Sequence, residues 1–118
     1  MNVLIVDDSA LIVSNIVELL EEVVTVCSIM HSSTYHHSVT TISNQKPDVV
    51  LLDINLPDKS GIQLLKHIKE FFPETRVIMV TNQSNDFYRR LCLKMGAEHY
   101  IDKSIDFHQI PSLVSSLS

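Results

Sequence analysis

The sequence predicts an α/β fold: a three-layer sandwich around a central five-stranded parallel sheet. Three observations predict it. Short apolar runs alternate with stretches of helical periodicity from end to end, several of the runs are apolar at every position, and each stops abruptly at a polar or charged residue. A strand that is apolar throughout is covered on both faces, as parallel strands are, whereas a half-exposed strand alternates. Regular succession of strands and helices is the pattern of βα units.

The elements follow in order. Val3 to Val6 make the first strand, stopped by Asp7-Asp8. Ile12, Ile16, Leu19, Leu20 and Val23 keep the spacing of one helical face. The β-branched run Val23 to Val26 predicts the start of a second strand. Tyr35, Val39 and Ile42 share a helical face that ends before Pro47, and Val49 to Leu52 form a third strand stopped by Asp53. After a turn with Pro57 and Gly61, a helix carries Leu65, Ile68 and Phe72, with Pro73 beyond its end. Val77 to Val80 make the fourth strand, closed by Thr81, and Leu91 and Met95 mark a helix closed by Gly96. Ala97 to Ile101 give a short last strand. Phe107, Ile110, Val114 and Leu117 predict a final amphipathic helix running to Ser118, with Pro111 restricting its start. With no linker, repeat or low-complexity segment, residues 1–118 read as one domain, and the strand order expected is flavodoxin-like, (βα)5.

Size and charge exclude several classes of function. A chain of 118 residues buries roughly two-thirds of its unfolded surface, so no disulfide or structural metal is needed to hold it. The net charge of −5, with the basic residues scattered, argues against a nucleic-acid surface. An acid pair by residue 8 is unlike a signal peptide, and no apolar stretch approaches the roughly 20 residues that span a bilayer. A cytoplasmic protein is expected. Cys27 and Cys92 have no metal-ligand spacing and are expected as free core thiols. The adjacent His36 and His37 point about 100° apart on a helix and cannot readily share an ion, so these and His31 are expected at a solvated helix end.

The chemistry collects at the strand ends. Asp7, Asp8, Asp53, Thr81 and Lys103 each fall just past the carboxyl end of a predicted strand. In an open parallel sheet those ends line one crevice, where ligands bind. Taken singly, each residue has a plainer reading: Asp8 or Ser9 as a helix cap, Asp53 as a turn residue, Thr81 as a cap, Lys103 as a surface charge. Together they bring three carboxylates, a hydroxyl and an ammonium to one edge. Converging carboxylates repel unless a cation joins them, and hard oxygen ligands suit Mg²⁺.

The acid pair in LIVDDS, the acid closing VVLL in VVLLDINLPDKSG, the Thr of VIMVT and the Lys of YIDKS resemble the receiver domains of bacterial response regulators, over essentially the whole chain and in the same order. The resemblance implies roles. Asp53 would accept a phosphoryl group from a phosphohistidine on a sensor histidine kinase or a histidine phosphotransfer protein. Asp8, Asp53 and the backbone carbonyl of Asn55 would bind Mg²⁺, with Asp7 acting mainly through water. Lys103 would pair with Asp53 and then with the phosphoryl oxygens, Thr81 would hydrogen-bond the attached phosphoryl group, and Tyr100 would be the aromatic that turns inward when Thr81 moves. It also implies an output partner, met by the fourth helix, last strand and fifth helix. The final helix has no Lys or Arg for the cross-subunit salt bridges many receivers use to dimerise, so a monomer is expected.

Two departures stand out. Ser104 follows Lys103 where most receivers have proline, commonly after a cis bond, leaving either a trans loop with a shifted Lys103 or a strained one. Asn82 follows Thr81 where a small residue is usual, and its bulk is expected to slow access to Asp53. The competing readings are a Mg²⁺-dependent phosphohydrolase of the haloacid-dehalogenase type, disfavoured because Asn55 stands where a second Asp would be needed, and a receiver-like scaffold that is never phosphorylated. An interaction module switched by phosphorylation, rather than an enzyme, is the reading the residues support.

Overall fold

The computed structural model describes residues 1–83 and 85–117. The chain alternates β1 (Asn2–Val6), α1 (Ala10–Leu20), β2 (Ser28–Ser32), α2 (Tyr35–Gln45), β3 (Val49–Leu52), α3 (Gly61–Phe71), β4 (Arg76–Thr81), α4 (Asp86–Lys94), β5 (His99–Asp102) and α5 (Ile110–Ser116). The five strands form one sheet in the order β2-β1-β3-β4-β5, every neighbouring pair parallel. That is the flavodoxin-like order, with the switch in strand order between β1 and β3.

Period-two alternation along the strands divides the core into two layers. Val3 and Ile5 of β1, Val49 and Leu51 of β3, and Ile78 and Val80 of β4 pack under α1 and α5 with Ile16, Leu20, Ile110 and Val114. Leu4, Val6, Val50, Leu52, Val77 and Met79 face the other way, against Ile42 of α2, Leu64, Leu65 and Ile68 of α3, and Cys92 of α4. Both faces are dry, which is why those runs carry no polar residue.

Helix starts follow their caps. Ser9, Thr34, Ser60 and Asn85 each accept a first-turn N–H, and Ser60 completes a capping box with Gln63. Residue Lys46 ends α2 in the left-handed region (φ 47°), just before Pro47.

Three expectations need correction. The second strand begins at Ser28, not in Val23 to Val26. Val23 is buried and keeps the helical face going in turns beyond α1, whereas Val24 is 96% exposed. As an edge strand paired only to β1, β2 buries little and carries a polar sequence, so the β-branched run upstream gave the stronger but misleading signal. The final helix is shorter than Phe107 to Ser118: Phe107–Gln109 form a 3-10 turn and α5 starts at Ile110, with Pro111 in its first turn. Residue 118 lies outside the described residues. Of the two free thiols, Cys92 is buried as expected but Cys27 is exposed.

Candidate functional site

The sheet ladder continues one residue past the strands and so fixes the first residues beyond them. The N–H of Asp7 donates to the Ser32 carbonyl at 3.1 Å, that of Asp53 to Val6 at 3.0 Å, and that of Lys103 to Thr81 at 3.0 Å. β1, β3 and β5 thereby present their next residues at one edge, where Thr81 is the last residue of β4. Asp7 and Asp53 are buried, Thr81 fully so, and Asp8 is exposed. Asp7, Asp8, Asp53 and Lys103 are brought together there, and Thr81 ends β4 at the same edge, its carbonyl bonded to the Lys103 N–H.

Lys103 reaches across this edge. Its Nζ lies 2.6 Å from Oδ2 of Asp7 and 3.0 Å from Oδ2 of Asp53, with side-chain exposures of 7%, 3% and 6% that mark a water-poor cluster. Burial by itself would push the lysine down, but hydrogen bonds and charge from Asp7 and Asp53 outweigh it and hold Lys103 above its ordinary value. The ammonium stays charged. Asp7, Asp8 and Asp53 each offer a carboxylate oxygen, and the three oxygens lie within 4.8 Å of one another. A donor set of oxygens alone, part buried and part open to solvent, suits a hard divalent cation that retains some water.

The loop after Asp53 is tightly turned and tied down by backbone hydrogen bonds. The Asn55 N–H donates to Oδ1 of Asp53 at 3.3 Å, and the Gly61 N–H closes the turn onto the Ile54 carbonyl at 2.6 Å. A Cβ on Gly61 would lie 1.9 Å from the Asp53 carbonyl oxygen, so only glycine fits there. Oδ1 and Oδ2 of Asp58 accept the N–H groups of Tyr35 and His36 at 2.8 and 3.1 Å, tying the loop to the N-terminus of α2. Although its partial burial raises the Asp58 carboxyl, four backbone N–H contacts together hold it below the ordinary range.

The lysine-bearing loop is trans at every peptide bond, and Lys103 is not displaced from Asp53. Ser104 donates its N–H and its hydroxyl to Oδ1 of Asp102, at 2.8 and 2.5 Å. Proline could not supply that N–H. The Ser104 hydroxyl, then its N–H, hold the Asp102 carboxyl below its usual value.

Thr81 caps no helix; its Oγ1 accepts the Gln83 N–H at 3.3 Å, and Asn85 caps α4 instead. Asn82 is exposed, while Asn55 and Gln83 line one depression of about 400 Å³ beside the acceptor loop. Tyr100 points inward: it is buried, and its hydroxyl donates to the Gln83 carbonyl. Burial chiefly, with negative neighbours, raises its phenol to about 12. His36 and His37 are exposed at the start of α2, with His36 3.9 Å from Asp58; His31 is also exposed, but on β2. Asp102, Asp58 and Arg89 were not singled out by sequence. Asp102 acts through short-range bonds of a local turn, for which an Asp two residues before Ser104 is a weak signal, and Asp58 acts through backbone N–H groups more than twenty residues away, a pairing that sequence spacing does not show.

The family model of the response regulator receiver domain matches residues 3–115. Over 116 residues the chain is 31% identical to the chemotaxis protein CheY of Halobacterium salinarum, covering 98% of this chain and 92% of that one. It is 36% identical over 76 residues to the TorCAD operon transcriptional regulatory protein TorR of Escherichia coli K12, covering 64% of this chain and 33% of TorR. The chain thus spans about a third of that relative's length. Among solved structures, the response regulator domain of Thermotoga maritima CheB superposes with a TM-score of 0.84 at 30% identity, covering 99% of this chain and 92% of that one. The isolated receiver domain of RcsB from Salmonella enterica serovar Typhimurium, determined with the phosphomimetic BeF3⁻, gives 0.92 at 26%, covering 99% and 87%. Sheet order, site edge and sequence agree: the chain belongs to the response regulator receiver domain family of two-component systems.

Proposed function

We propose that this receiver domain accepts a phosphoryl group on Asp53 and thereby changes the surface it offers to an output partner. The observation that carries this reading is the Asp53 carboxylate at the end of β3, 3.0 Å from a buried lysine ammonium and within 4.8 Å of two further carboxylates. An Asp53 carboxylate oxygen attacks phosphorus in line, the P–N bond of a donor phosphohistidine breaks, and the imidazole leaves with the bonding pair and takes up a proton. Such a transfer needs positioning and charge neutralisation more than covalent help. Lys103 supplies a fixed positive charge to the phosphoryl oxygens, and the Thr81 hydroxyl is one strand away to donate to them. Asp7, Asp8, Asp53 and the Asn55 carbonyl would hold Mg²⁺, which when bound neutralises the carboxylates and the arriving group. The family resemblance supports a sensor histidine kinase or histidine phosphotransfer protein as donor.

The new acyl phosphate brings close to two negative charges beside Thr81 and Lys103. We assign Thr81 and Tyr100 as the switch pair and the α4–β5–α5 face as the surface that meets the output partner. We read the domain as a cytoplasmic monomer that binds neither nucleic acid nor membrane by itself, and as a phosphoacceptor rather than an enzyme. None of the described helices is long and apolar enough to cross a membrane, in keeping with this reading.

Mass spectrometry after incubation with acetyl phosphate and Mg²⁺ tests the proposal. One added phosphoryl mass, absent in Asp53→Asn and dependent on divalent metal, is the expected result. Labelling that persists in Asp53→Asn places the acceptor elsewhere, and no labelling at all leaves the scaffold reading.

A further inference from the structure

Two consecutive arginines on α4 do different things. Arg90 turns outward, 79% exposed, to a solvated pair with Asp86 at 3.7 Å. Arg89 turns in and is half-buried. Its Nη1 donates to the Tyr100 carbonyl of β5 at 3.1 Å, and its guanidinium carbon lies 5.0 Å from the centre of the Tyr100 ring. One side chain therefore holds both the backbone and the ring face of the same residue. A planar guanidinium suits this double contact, because it stacks on an aromatic face while its edge donates.

The ring is fixed at its far end as well. The Tyr100 hydroxyl donates to the Gln83 carbonyl, and the Gln83 N–H donates to Oγ1 of Thr81. Arg89, Tyr100, Gln83 and Thr81 thus form one continuous chain of contacts from α4 to the residue beside the acceptor. Swinging the ring outward would break the hydroxyl bond, lose the stacked guanidinium and expose a buried aromatic. Each of these contacts favours one of the two ring positions, which is what shifting a two-state equilibrium requires.

We propose that Arg89 is a positioning residue that holds Tyr100 inward before any phosphoryl group arrives, so that it sets the resting balance of the switch. This rests on reading Tyr100 and Thr81 as the switch pair of a phosphoacceptor. The ligand response follows from population arithmetic: an anion that favours the inward arrangement binds more weakly in proportion as that arrangement is less populated beforehand. Arg89 raises that prior population, and the chain gains sensitivity to its donor at the expense of contrast between its two states.

The test uses the whole chain labelled with 3-fluorotyrosine, its three tyrosine signals assigned by single Tyr→Phe variants. In the parent, the Tyr100 fluorine is expected to be solvent-shielded, with a small shift between H₂O and D₂O. Arg89→Ala should move it toward the solvent-exposed position and raise the half-saturating concentration of beryllofluoride, with Mg²⁺ present, roughly threefold or more. Arg89→Met, which keeps the aliphatic stem, should behave like Ala, and Arg89→Lys should recover part of both effects. Unchanged Tyr35 and Tyr88 signals verify folding, and the Met variant keeps the test decisive should Ala unfold. A Tyr100 signal that ignores loss of the guanidinium, or a shifted signal with unaltered beryllofluoride affinity, overturns the inference alone. A parent that shows no saturable binding of beryllofluoride with Mg²⁺ present overturns the phosphoacceptor reading and the inference with it.

Discussion

Ser104 closes a double hydrogen bond on Asp102: one carboxylate oxygen accepts both its N–H and its hydroxyl. Asp102 also receives the N–H groups of Ile105 and Asp106 on its backbone carbonyl, at 3.3 and 2.9 Å. Residues 102–106 are therefore wound into a compact turn with Lys103 at its crest. The turn does by hydrogen bonding what a proline ring would do by covalent restriction, and the lysine keeps its reach to Asp53.

The Asp102 carboxylate should make stability depend on acid in a defined direction. Its value is depressed in the fold by Ser104, so its contribution is complete above the ordinary carboxylate value of 3.8 and is lost as pH falls through the lower folded value. Asp102→Asn should therefore be less stable than the parent at neutral pH, with a gap that narrows as pH drops below about 4. Urea denaturation of both proteins between pH 7 and pH 2.5 checks this. A gap of constant size would mean that the charged form has no special part in the turn.

Lys103 competes with metal for the same oxygens. Because Nζ sits 2.6 and 3.0 Å from Asp7 and Asp53, its positive charge opposes a divalent cation there. Lys103→Met should tighten Mg²⁺ binding yet slow acetyl phosphate labelling on the order of a hundredfold, the usual cost of losing one preorganised donor to a developing anion. Asp8→Ala should weaken Mg²⁺ binding without measurable loss of stability, since Asp8 is exposed. Calorimetric Mg²⁺ titration separates the three proteins; weaker binding in Lys103→Met would refute the competition.

Gly61→Ala should damage the site from beneath. The new methyl would meet the Asp53 carbonyl oxygen at 1.9 Å and the Ile54 Cα at 2.9 Å, both backbone. Backbone can yield only by moving the β3–α3 loop, at a cost of about 1–3 kcal/mol. A lowered urea midpoint together with slower labelling is expected. An Ala variant equal to the parent in both would show that the loop tolerates displacement.

Asn82→Ala should speed labelling by small donors several-fold. Asn82 is exposed directly after the buried Thr81, where its side chain can stand beside the in-line path to Asp53. Time courses with acetyl phosphate decide it, and equal rates in parent and variant would clear Asn82 of any gating part.

Much of this was legible in the sequence because burial on both faces leaves strands with no polar residue. β1, β3 and β4 were placed almost to the residue, and once they were placed Asp7, Asp53 and Thr81 had to share an edge. The misplacement of β2 arises at the margin of the sheet, where burial is partial and pattern weakens; the final helix was read too long because Phe107 keeps the helical spacing although it sits in a 3-10 turn. Within the site, Lys103 was found by position, but its pairing with Asp7 was not, because which carboxylate a flexible ammonium approaches depends on three-dimensional spacing. The inward turn of Arg89 left no trace either. Adjacent arginines look alike until the helix is docked.

The polar make-up of β2 that hid it from the sequence also governs how the protein behaves in a crowded solution. An unpaired strand edge is a template on which another chain can add a strand, and such growth leads to aggregates. β2 spans five residues with Ser at both ends and an exposed His31 within it, and β5, the other edge, has four and ends in an acid. Short, hydrophilic borders of this kind offer little hold to a stray strand, so the sheet remains closed to its neighbours while its carboxyl edge stays open for chemistry.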